Sequence, residues 1–111
     1  QREGLRAAVI LSGVGCVTEA RVRDASGVPV RPTAEPCEIT ALQGTVSARR
    51  CHVHIALSRE DMTTLGGHLM EGTYINTTCE LVLLEQDGWR YGVEQDAATG
   101  YDEIVFQEDK R

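Results

Sequence analysis

The stretch "CHVHIALSREDMTTLGGHL", residues 51–69, holds all three histidines of the chain. His52 and His54 are two residues apart, and His68 follows a polar segment and the pair Gly66-Gly67. Side chains of a β-strand alternate between its faces. Read as a strand, residues 51–57 put Cys51, Val53, Ile55 and Leu57 on one face and His52, His54 and Ala56 on the other. The apolar face has a core to fill. The histidine face therefore points to solvent, a cleft or a neighbouring subunit. If residues 58–64 form a connection, the strand that begins near Leu65 returns antiparallel and carries His68 toward His52 and His54. Two glycines before His68 permit close backbone approach or an unusual dihedral.

The same β-type patterning extends in both directions. Residues 7–14 are an apolar run broken by Gly13 and Gly15, and residues 17–23 alternate. Residues 24–36 are rich in Gly, Pro, Ser and Thr and read as a loop. Residues 38–48 suggest a strand bent at Gly44, residues 65–70 a short strand and residues 72–84 a longer one. Residues 89–93 and 103–106 close the set around the polar loop "EQDAATGYD". About seven strands and little helix predict an all-β or antiparallel-rich α+β domain. Gln1 to Glu3, followed by Gly4, read like the last turn of a helix. This suggests that an upstream helix, with a strand before it, is missing.

A chain of 111 residues implies one domain over residues 1–111. No apolar run approaches the roughly 18 residues of a membrane span, and no signal-peptide pattern is present. The expectation is a soluble, cytoplasmic protein without membrane contact. The net charge is −6, and ten of the eleven basic residues are arginines. Nucleic-acid binders carry a basic excess because phosphate neutralisation dominates their affinity. The charge balance argues against such a partner, although Arg49-Arg50 with Arg59 would make a local patch. Cys16, Cys37, Cys51 and Cys79 are too far apart in sequence for a C-x-x-C pair and read as buried free thiols. Asn76-Thr77-Thr78 matches a glycosylation acceptor but has no secretory context.

Histidines at i and i+2 of a strand are about 6.5–7 Å apart at Cα. Their imidazoles can share one metal at Zn–N distances of about 2.0–2.1 Å. Three imidazoles with an open fourth position match a catalytic-type zinc site, which lowers the pKa of bound water to about 7. The alternative is three unrelated surface histidines. Glu71 and Glu80 are the candidate carboxylates, either as partners of a ligand's second nitrogen or as a general base. The plainer reading makes both solvated strand residues. Leu81-Val82-Leu83-Leu84 is apolar on both faces of its strand and needs cover from a helix or a subunit, unless it is a central strand of the core.

The segments "AAVILSGVGCVTEARVR", "CEITALQGTVS", "CHVHIALS", "GGHLMEG" and "TTCELVLLE" follow one another in the order seen in the plant-and-prokaryote conserved (PPC) domain. The chain resembles that family from about Leu5 to Phe106. The resemblance implies an α+β fold, a largely antiparallel sheet with a packed helix, assembled as a homotrimer. It also implies a metal site at His52, His54 and His68 with Zn2+ as its ion. The strand and helix that family members carry before the equivalent of Leu5 are essentially absent, and so is any AT-hook core. The expected function is a small trimeric metal-binding protein, its site open to water or a small anionic ligand, with substrate and enzymatic status unassigned. The alternatives are a DNA-associated regulator, by analogy with the plant members, and an oligomerising scaffold.

Overall fold

A computed structural model describes residues 4–27 and 30–108. Eight strands follow one another: β1 (Ala8–Arg23), β2 (Val30–Thr33), β3 (Cys37–Val46), β4 (Cys51–Ser58), β5 (Thr64–Leu69), β6 (Tyr74–Glu85), β7 (Trp89–Gln95) and β8 (Asp102–Glu108). No helix occurs among the described residues. This corrects the α+β class with its packed helix: the domain is β-rich. The physical reason is the patterning itself, which repeats every two residues or runs through β-branched stretches. The reading of Gln1 to Glu3 as the end of a helix lies outside the described residues.

β1 organises the sheet. Along one side it pairs with β6, from Ala8 to Glu19, and then with β2, from Ala20 to Arg23. Along the other it pairs with β3, and its last two residues pair with β5. Because β3 pairs with β4 and β4 with β5, strands β1, β3, β4 and β5 close a circuit, every contact antiparallel. β7 and β8 form a separate hairpin.

Gly13 and Gly15 do not break β1. A Cβ on Gly15 would collide with the Thr78 carbonyl, and one on Gly13 would lie 2.6 Å from Leu42 Cδ2. The glycines let neighbouring chains press against an unbroken strand of 16 residues. The segment expected to be a loop contains β2, a short edge strand on which Pro32 is tolerated.

Val17, Ala20, Val22, Cys37, Ile39, Ile55 and Leu57 form the core cluster inside the circuit. Only Cys37 of the four free cysteines is buried; Cys51 is exposed and the other two are intermediate. Leu81, Val82, Leu83 and Leu84 are all exposed, and among the described strands β6 pairs with β1 alone. They are not a central core strand. No helix is long and apolar enough to cross a membrane.

Leu57 has no exposed surface and is one of the two largest fully buried side chains. Leu57→Ala is expected to lower the unfolding free energy by about 2–5 kcal/mol, read from the urea midpoint.

Candidate metal centre

The β4–β5 hairpin sets the site. Its loop is closed by Met62 N–H donating to the Arg59 carbonyl at 2.8 Å and Arg59 N–H to the Thr63 carbonyl at 2.8 Å. Asp61 Oδ1 accepts from Thr63 N–H at 2.9 Å and from the Thr63 hydroxyl at 2.6 Å. These bonds hold the Asp61 carboxyl below its usual pKa. The loop fixes the register Ser58↔Thr64, which continues to His54↔His68.

Residues directly opposite in an antiparallel pair project from the same face. His54 and His68 therefore share a face, and His52, two residues from His54, shares it too. Val53, Ile55 and Leu57 point inward. The imidazole centroids are 5.2 Å apart for His52–His54, 5.1 Å for His52–His68 and 5.5 Å for His54–His68. One nitrogen from each ring lies within 4.8 Å of the others. A tetrahedral ion with Zn–N bonds of about 2.0–2.1 Å separates its nitrogens by about 3.3 Å. Small side-chain rotations close that difference. No described residue hydrogen-bonds to these ring nitrogens, so they are open to a ligand. The donor set fits a divalent ion.

Gly66 and Gly67 bring β5 into place by close approach. A Cβ on Gly66 would collide with the Ile55 carbonyl, and one on Gly67 would lie 2.5 Å from the Arg23 carbonyl. Neither has a positive φ.

The face extends beyond the histidines. Arg23 stands opposite His68 across the β1–β5 pair, and Gln43 and Thr45 of β3 stand opposite His54 and His52. Arg50 is held in the β3–β4 turn, where its N–H donates to the buried Ser47 hydroxyl at 3.2 Å. Its Nη1 donates to the Asp102 carbonyl at 3.1 Å and so ties β8 to the site. A cleft of about 740 Å³ is lined by the three histidines, Arg23, Arg50 and Glu103, with further residues of the β1–β2 turn and β8. The candidate carboxylates lie elsewhere. Glu71, in the β5–β6 connection, borders an apolar cavity with Val17 and Ile55, and exposed Glu80 on β6 faces Val14. Sequence reading missed Arg23 and Glu103 because pairing with β5 and the position of β8 are long-range facts.

Burial depresses the His52 pKa; Arg50, His54 and Arg23 lower it further, and Glu103 opposes them. Burial likewise depresses His68, followed by Arg23, His52, His54 and Arg50. Both rings favour the neutral form, the form that ligates metals.

Fold and site define a small antiparallel β-domain with three convergent imidazoles on its outer face. The chain belongs to the Plants and Prokaryotes Conserved (PCC) domain family, whose sequence model matches residues 1–87. It is 35% and 36% identical to the bifunctional protein GlmU of two Synechococcus strains over 107 residues, 96% of this chain. It spans 17% of the length of those relatives. A Salmonella cholerae-suis (Salmonella enterica) protein superposes with a TM-score of 0.93 at 32% identity, over 97% of this chain and 78% of that one. A metal-containing protein from Archaeoglobus fulgidus superposes at 0.74 with 29% identity, over 94% and 77%.

Because both folded pKa values are depressed, their stabilising contribution in the metal-free chain is present above the unfolded value of about 6.5. It is lost as pH falls through the folded values. In a proton NMR titration, His52 and His68 are expected to have midpoints below free histidine. Arg23→Ala is expected to move the His68 midpoint upward.

Proposed function

We propose that this domain binds one divalent ion, zinc by donor preference, through His52, His54 and His68. The observation that carries the reading is the convergence of one nitrogen from each ring within 4.8 Å. The tendency of His52 and His68 to stay neutral supports it, as does the metal-containing Archaeoglobus relative. Imidazole donors suit zinc among the common divalent ions. A bound ion with one open position would polarise water or a small ligand. The chain's residues supply the remaining features: a cleft on the open side, two guanidinium groups and the carboxylate of Glu103. No reaction is assigned.

The reading includes a homotrimer. Both faces of β6 present leucines and valine to solvent, and Leu11 and Val14 of β1 extend that surface at 60% and 55% exposure. Contiguous apolar surface of this kind marks an interaction site. Four free thiols fit a reducing cytoplasmic setting. A role on DNA is less well supported, because a net charge of −6 provides no general basic surface for phosphates.

Metal analysis after zinc loading and desalting is expected to give one zinc per chain. His52→Ala with His54→Ala is expected to reduce it to background, and equal metal in both proteins would overturn the reading. Sedimentation equilibrium is expected to give three times the chain mass, with Leu83→Asp shifting the mass toward the monomer; a monomeric parent chain would overturn the trimer.

A further inference from the structure

We propose that the cleft is an oxyanion pocket, in which Arg23 and Arg50 hold a carboxylate or phosphate group of a small ligand whose oxygen takes the open position beside the three imidazoles. The proposal rests on the metal reading and adds the chemical class of what binds there.

Arg23 is the cross-strand partner of His68, so its side chain leaves β1 on the histidine face. It is half-buried, and no ion pair or side-chain hydrogen bond with another described residue occupies its guanidinium. Arg50 is also half-buried and lines the same cleft. Its bond to the Asp102 carbonyl uses Nη1 and leaves most of its five N–H donors free. Two guanidiniums beside three imidazoles are an arrangement that water alone does not require. A planar fork of donors matches the paired oxygens of a carboxylate or phosphate.

The acidic groups do not cancel this field evenly. Asp24 is engaged by Arg31 at 2.9 Å and by Ser26. Glu103 also lines the cleft, next to Asp102, whose carbonyl accepts from Arg50. The cross-strand placement of Arg23 opposite His68 sets the anion at the His68–Arg23 edge. Tyr101, Asp102 and Glu103 complete the lining, and a cleft of about 740 Å³ limits the occupant to small-molecule size.

The test loads the parent chain and the variants Arg23→Ala, Arg50→Ala and Arg23→Lys with Co2+. Cobalt stoichiometry is measured first. Acetate and inorganic phosphate are then titrated separately, with the visible cobalt absorption as the readout. The expected result is unchanged cobalt content and anion binding about tenfold weaker in each alanine variant. Arg23→Lys should fall between, since it keeps the charge and loses the fork. The anion with the larger loss identifies carboxylate or phosphate as the preferred group. Equal anion affinity in parent and alanine variants, with cobalt bound, would overturn the pocket alone. A parent chain that takes up no cobalt would overturn the metal centre and the pocket with it.

Discussion

His54 and His68 face each other because the β4–β5 ladder has one register and the rest of the site hangs from it. A slip of one residue in a strand exchanges its two faces. Here that slip would turn Val53, Ile55 and Leu57 outward and bury the histidines. The core thus fixes the site: filling the interior with three apolar side chains obliges the alternate positions to present imidazole. The Asp61–Thr63 bonds in the loop and the Gly66-Gly67 approach act in the same direction. The shared face and the convergence of the rings are consequences of one pairing.

β1 links this local geometry to the whole domain. Its length lets one end pair with β3 and β6 while the other reaches β2 and β5. Closing the circuit at β5 brings Arg23 opposite His68. The contact that completes the sheet therefore also delivers a positive charge that, after burial, lowers the His68 pKa. On the opposite flank, β6 carries four consecutive apolar residues in the open. The domain has a polar outer face built by the circuit and an apolar rib built by β1 and β6.

Much of this was legible in the residues. Strict alternation in residues 51–57 gave the two faces of β4, and the return of a strand after residue 64 placed His68 beside them. The packed helix was not in that pattern; it came from family resemblance, and the described residues hold none. Gly13 and Gly15 looked like breaks because a glycine in a strand is ambiguous between an end and a close approach, and only the neighbours Leu42 and Thr78 decide. Pro32 hid β2 in the same way, since an edge position excuses the missing donor. Arg23 and Glu103 were invisible as site residues because they sit 29 residues before and 49 residues after His52 and His54 respectively, and no local rule links such positions.

The hairpin of β7 and β8 starts at Trp89, beyond residues 1–87 that match the family model, yet its Glu103 borders the cleft. It is moored by backbone bonds from Gln86 and Tyr91 to Ala7 and Arg6 and by the Arg50–Asp102 contact. The three imidazoles and this part of the cleft wall are thus written in separate lengths of chain. Rebuilding the later length would reshape that wall while leaving the ring trio in place, so the same three imidazoles can stand beside differently lined clefts.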